Sequence, residues 1–212
     1  VSKIIIILLL CVTSIGVSAQ TEWKLKNEKD GIKVFAGTTP NSDFQLVRVE
    51  FIVGARLSQL VAFLLDVEQQ PKWIYNCKSA RLVKKIAENE LISYSEISLP
   101  WPCANRDYIS HVTFNQQSPQ LLTIDAKAEP GLLPLEPGKV RVKSSSAHWD
   151  ITPLTGRQLK VVYTAGCDPA GGLPGWLTNI FIAKGAYETF QKLRTCVNNP
   201  QYYNARFDFI KE

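Results

Sequence analysis

Residues 174–197 hold the one long helical pattern in a chain whose other periodic stretches read mostly as strands. Trp176, Ile180, Ala183, Tyr187, Phe190 and Val197 recur at helical spacing, and Leu177, Ala186 and Leu193 widen the apolar stripe. Pro174 suits the first helical position, where a missing N–H is not needed and a fixed φ helps. Glu188, Gln191, Lys192 and Thr195 mark a wetter side in the second half, whereas Trp176 to Ala183 is apolar nearly all round. One helix set against many strands leaves two arrangements. It plugs the concave face of the sheet, or it roofs a ligand cavity held between helix and sheet. The helix alone does not choose.

Trp23 to Lys29 alternates with period two, Lys29-Asp30-Gly31 turns, and Ile32 to Ala36 continues as a second strand. Phe44 to Val53 is the third. Leu57, Leu60, Val61, Leu64 and Leu65 then take helical spacing, with Ser58 or its neighbour as cap, and Pro71 to Asn76 gives a second short helix carrying Trp73 and Tyr75. Further strands are predicted over 77–87, 91–99, 106–115, 121–128, 139–142, 147–151 and 159–167. Their breaks fall at Glu88-Asn89-Glu90, Gln116 to Pro119, Ser144 to Ser146 and Pro153 to Arg157. Glu129 to Gly138, with three prolines and two glycines, is neither strand nor helix. The order implies an α+β fold: a curved antiparallel sheet around a long C-terminal helix, with two short helices after the third strand. A sheet of that size curls, and its own side chains need not fill what it curls around.

With 212 residues, 45% of them hydrophobic, the chain can bury one core, and a single domain over 20–198 with a polar, aromatic, poorly ordered tail at 199–212 is expected. Residues 1–19 stand apart. Lys3 supplies a positive start, Ile4 to Val12 an apolar run too short for a comfortable span, and Val17-Ser18-Ala19 a small-x-small site. This reads as a signal peptide cleaved near Ala19 and a protein exported to periplasm or medium; the rival reading is an uncleaved signal anchor. Leu10 stands where lipoprotein processing at Cys11 wants a small residue, which argues against lipidation.

Removing Lys3 from the 24 basic residues leaves 23 against 19 acidic ones, a net charge of +4. The basic residues are scattered, Arg81, Lys84 and Lys85 coming nearest to a cluster, so no nucleic-acid partner is expected. Without Cys11, Cys77, Cys103, Cys167 and Cys196 allow three pairings. Cys77 and Cys103 flank the predicted 88–90 hairpin, whereas a helix of roughly 30 Å separates Cys167 from Cys196. The expectation is a Cys77–Cys103 bond or, failing that, free buried thiols.

Three stretches carry a family resemblance: Leu99 to Tyr108 (Leu-Pro-Trp-Pro-Cys-Ala-Asn-Arg-Asp-Tyr), Trp149 to Leu154 (Trp-Asp-Ile-Thr-Pro-Leu) and Asp168 to Asn179 (Asp-Pro-Ala-Gly-Gly-Leu-Pro-Gly-Trp-Leu-Thr-Asn). In order and spacing they resemble signature stretches of the START (steroidogenic acute regulatory protein-related lipid transfer) family, and the resemblance covers Trp23 to Val197. It implies a helix-grip fold, in which an incomplete barrel and a C-terminal helix enclose a tunnel for one lipid or sterol-like molecule. It further implies a loop acting as gate; no cofactor, a monomer, and transient contact with a membrane surface are expected alongside. Leu132, Leu133 and Leu135 match the gate position; apolar side chains on such a loop suit membrane contact or lipid capping, unless the loop simply packs down. Arg106-Asp107 is read as a structural ion pair anchoring the proline-rich turn. Sterol-binding members resemble one another in a buried acid and arginine on adjacent cavity strands. Aligned through Arg106-Asp107 those positions are Ser95 and Val112, which turns the expectation away from a sterol.

On that register Ser93, Ser95, Ile97 and Leu99 face inward, as do Tyr108, Ser110, Val112 and Phe114. Leu122, Ile124 and Ala126 lie beside them, with Trp149, Tyr163 and Ile180 or Tyr187 further round. Such a wall suits a ligand that is mostly hydrocarbon with one small polar end. Burying ~500 Å² of it would yield on the order of 12 kcal/mol gross, much reduced by ordering and desolvation. Catalytic signatures such as Gly-x-Ser-x-Gly, His-Glu-x-x-His, a phosphate loop or Cys-x-x-Cys do not occur. The two histidines, His111 and His148, fall on the outer face without a second ligand at suitable spacing, so no metal is expected. Cys103 has no recognisable histidine partner. The alternative is a small helix-grip enzyme of the cyclase or hydratase type, with Tyr108, Tyr163 or a cavity serine in acid–base roles. A domain that only docks another protein has little support.

Overall fold

In the computed structural model, which describes residues 21–39, 42–170 and 172–212, the period-two stretches become ten strands of one sheet. Strands β1 (Glu22–Lys29), β2 (Ile32–Thr39) and β3 (Ser42–Gly54) precede helices α1 (Leu57–Leu65) and α2 (Gln70–Trp73). Next come β4 (Cys77–Ala87), β5 (Glu90–Ile97), β6 (Asn105–Ser118), β7 (Leu121–Ala128), β8 (Lys139–Arg141), β9 (Ser144–Leu154) and β10 (Gln158–Asp168), then α3 (Gly175–Ile180) and α4 (Ala186–Cys196). The spatial order is β1-β2-β3-β10-β9-β7-β6-β5-β4, antiparallel except for short β8, which runs parallel beside β6. β1 and β4 are both edges, so the sheet is open and not a closed barrel. Asp30 and Gly31, at φ 52° and 71°, make the two-residue turn that matches the twist of β1 and β2. The expected leader lies outside the described residues.

β9 is longer than its sequence suggests. Ser144 to Ser146 pair with Gly166 to Asp168 of β10, the small side chains posing no obstacle to a ladder. Pro153 is tolerated because β7 stops pairing at Ile151, which leaves that side of the strand without a hydrogen bond to lose.

The terminal helix is not one regular α-helix. A π-helical turn, Phe181–Gly185, joins α3 to α4. Its extra residue rotates α3 by about 100° relative to the stripe drawn on α4. On α3 the buried residue is therefore Leu177, and Trp176 faces out at 59% exposure. α4 keeps its stripe: Phe190 packs against Phe51, Trp149 and Tyr163 at ring-centroid distances of 5.0, 5.5 and 4.9 Å, with Leu193 and Val197 fully buried below it. Gly185 is required where the helix meets Tyr75, since a Cβ there would come within 2.8 Å of the ring.

Contrary to expectation, residues 199–212 pack onto the body. Tyr202 is buried with its hydroxyl donating to Asp66 Oδ2 at 2.8 Å, and Phe207, Phe209 and Ile210 cover the core from outside. Glu212 caps α1: the amides of Leu57 and Ser58 each donate to its carboxylate at 3.2 Å, and the Ser58 hydroxyl donates to the same carboxylate. Cys77, Cys103, Cys167 and Cys196 are all free. Cys77 stands opposite Ile97, so Cys103 lies beyond the end of that ladder, in the turn that Cys103 N closes onto Pro100 O, and the expected bond does not form.

Candidate functional site

The β5–β6 ladder sets the chemistry of the concave face. Ser93 stands opposite Ser110, Ser95 opposite Tyr108, and Ile97 opposite Arg106, so every second residue of both strands points the same way. Phe114 opposes Ile124 on β7, Ile124 opposes Trp149 on β9, and Trp149 opposes Tyr163 on β10. Above this surface lie α2, α3, the π turn and α4. Between them is a cavity of about 680 Å³.

Of the residues predicted to face inward, Ser93, Ser95, Ile97, Tyr108, Ser110, Val112, Phe114, Ile124, Trp149 and Tyr163 line this cavity. Leu122 shares their face but is sealed in the core at 0% exposure. Ile180 and Tyr187 do not line it. The π turn swings Ile180 outward, and Tyr187 reaches the β1–β2 turn, where its hydroxyl donates to Asp30 Oδ2 at 2.5 Å. Sequence reasoning missed the wall supplied by the α1–α2 segment (Leu64, Val67, Trp73, Tyr75) and by Cys167, Leu173, Phe181 and Ile182. Cys167 carried a usable signal, since it continues the alternation Tyr163, Ala165, Cys167; the covering segments carried none.

Arg106 and Asp107 do not pair with each other. Adjacent strand residues point to opposite faces, and here each is satisfied separately. Arg106 lines the cavity and donates to three carbonyls, those of Ala104, Pro169 and Ala170, at 2.6, 2.8 and 2.7 Å. Asp107 accepts from Arg141 Nη2 at 2.8 Å, both side chains almost fully buried. Arg141 also donates to the carbonyls of Pro130, Leu133 and Pro134, and so fastens the 129–138 loop to β6. Beside this anchor Glu96 accepts from Lys139, Asn105 and Lys78 at 2.8, 2.6 and 3.0 Å. Burial alone would raise its pKa, but these donors outweigh it and hold the carboxyl at about 2.

The leucines matched to the gate divide. Leu132 and Leu135 are 49% and 75% exposed, whereas Leu133 packs on Ile92, Tyr94 and Ile109; none of the three lines the cavity.

Inside the cavity, burial pushes the phenols of Tyr108 and Tyr163 and the thiol of Cys167 upward, with Cys167 adding to the shift of Tyr108. All three keep their protons at neutral pH. Among the described lining residues Arg106 is the one charged side chain, and no carboxylate opposes it. The histidines sit elsewhere. His111 contacts Glu90 and Glu129, and His148 contacts Asp125 and Asp150, whose carboxylates, Asp125 foremost, raise its pKa by accepting from the ring.

An open antiparallel sheet closed over by a C-terminal helix, with an apolar hollow between, defines a helix-grip protein. The START domain family matches residues 14–202, and the chain belongs to that family. A STAR-related lipid transfer protein from Xanthomonas axonopodis superposes with a TM-score of 0.76 at 28% identity, covering 84% of this chain and 99% of that one. An uncharacterized protein of Pseudomonas aeruginosa is 29% identical over 180 residues, 85% of this chain and 89% of its own length. The phosphatidylcholine transfer protein of Bos taurus is 26% identical over 184 residues, 83% of this chain and 84% of its own.

Proposed function

We propose that the chain is an exported, monomeric lipid carrier that holds one lipid in the cavity and passes it between membranes without chemical change. The observation that carries this reading is the cavity of about 680 Å³ itself, walled by aromatic and aliphatic side chains with hydroxyls clustered on β5 and β6. Apolar burial supplies the affinity, and the hydroxyls of Ser93, Ser95, Ser110 and Tyr108 receive the polar end of the ligand. Ser95 and Val112, standing where sterol-binding members carry a charged pair, favour a ligand other than a sterol. Membership of a family that includes lipid-transfer proteins lends support, and Lys3, the Ile4–Val12 run and Val17 to Ala19 support export.

Release is proposed to follow opening of the 129–138 loop together with the α3 cover. Replacing exposed Leu132 and Leu135 by Asp is expected to slow transfer of a fluorescent phospholipid between vesicles about tenfold while the melting temperature holds. An unchanged rate would remove the loop from the transfer step. The enzymatic alternative predicts turnover of a hydrophobic substrate that is lost on Tyr108→Phe, Tyr163→Phe or Ser95→Ala.

A further inference from the structure

The cavity has a polar end and an apolar end. From Arg106 the β6 lining passes through Tyr108 and Ser110, with Ser95 and Ser93 facing them from β5, and turns apolar toward Phe114. Charge is balanced differently on the two faces of this ladder. On the outer face Asp107 meets Arg141, and Glu96 meets Lys139 and Lys78. On the inner face Arg106 is 4% exposed, and no carboxylate among the described residues pairs with it. The carbonyls of Ala104, Pro169 and Ala170 take one N–H each from Nη1, Nε and Nη2. A guanidinium has five N–H groups, so one is left on each terminal nitrogen. Burial pushes the neighbouring Tyr108 phenol upward, and the guanidinium is close enough to oppose part of that rise.

We propose that Arg106 is the head-group site of the cavity, and that the lipid it selects carries an anionic oxygen group, a carboxylate or a phosphate. This rests on the lipid-carrier reading and names the class of lipid. The three carbonyl dipoles solvate the cation without cancelling its charge. A net charge kept from water beside an apolar hollow is costly until an opposite charge joins it. The two remaining N–H groups sit on a planar fork, which suits two oxygens of one group. The Tyr108 hydroxyl stands beside them as a further donor, and the hydrocarbon runs past Ser110 toward Phe114. A neutral head would fill the same space and leave the charge unmatched.

The test is displacement of a neutral fluorescent probe, Nile red, from the delipidated whole chain at about pH 8, where a carboxylic acid is ionised. Two matched pairs compete: oleic acid against methyl oleate, and dioleoylphosphatidic acid against dioleoylglycerol. In the parent the charged member of at least one pair should bind about tenfold tighter or more than its neutral counterpart. A preference in one pair alone assigns the site to that head, carboxylate or phosphate. Arg106→Gln should bring the ratio to about one, with circular dichroism checking the fold. Arg106→Lys keeps a point charge without the fork and should lower the ratio several-fold, which carries the test if Arg106→Gln does not fold. Equal affinities within both pairs in the parent would overturn the proposal while leaving the carrier reading standing. A preference that neither variant lowers would overturn it too, by placing the anion elsewhere. Failure of every lipid, charged or neutral, to displace the probe would sink the carrier reading and this site with it.

Discussion

A residue added to a hollow behaves differently from one forced into a packed core, and Ser110→Phe separates the two. Ser110 faces the cavity from the middle of β6, between Ser93 on β5 and Ala128 on β7. The substitution adds on the order of 100 Å³ of side chain, a small share of the about 680 Å³ available. In a core packed to native density such an insertion costs about 1–3 kcal/mol. In the hollow, a ring burying roughly 100 Å² against existing walls gains up to about 2.5 kcal/mol, less its lost rotamer freedom of under about 1 kcal/mol. The net expectation is a change between zero and about +2 kcal/mol, a rise in melting temperature of up to about 8 °C for a domain of this size. The assay is thermal unfolding of delipidated protein, since bound lipid would itself stabilise the parent. Lipid recovered by extraction should fall sharply in the same variant. A melting temperature lowered by several degrees with lipid content untouched would refute the reasoning, because it would mean that the space around Ser110 is already filled.

Arg141→Met strips the buried Asp107 carboxylate of its partner and frees three carbonyls of the 129–138 loop, so unfolding free energy should fall by about 3–5 kcal/mol in urea titration. Glu96 has a folded pKa near 2, below its unfolded value of 4.5, so its contribution is complete above about 4.5 and is lost as pH falls toward 2. Glu96→Gln should accordingly be less stable than the parent at neutral pH, with the gap closing below pH 4.5 as followed by circular dichroism. Glu212→Ala should cost about 1 kcal/mol by removing the cap of α1, and hydrogen exchange at Leu57 and Ser58 should speed up.

Legibility followed the strength of local periodicity. Strand alternation fixes which residues of a ladder share a side, and the family resemblance, aligned through Arg106-Asp107, says which side is concave; together they put Ser93, Ser95, Tyr108, Ser110, Val112 and Phe114 on the concave face. The same rule, applied to Arg106 and Asp107, would have separated them. They were joined because opposite charges in sequence invite pairing, and their true partners are loop carbonyls and an arginine some thirty residues on. The π turn left no readable mark: one extra residue in a helix leaves composition intact and changes only phase, so the expectation that Ile180 faces the cavity fails and it faces out. The tail was misjudged from its polar character, although Phe207, Phe209 and Ile210 already announced a surface that wanted covering. The α1–α2 wall of the cavity depends on how the segment folds over the sheet edge, which no local pattern encodes.

The account turns on whether the interior receives a guest. Native mass spectrometry of the purified protein addresses that directly. It should show the intact chain carrying one added mass in the range of a single lipid, released on activation, and less abundant in Ser110→Phe. A spectrum containing the bare chain alone, from protein purified without detergent and still bare after incubation with phospholipid vesicles, would contradict it.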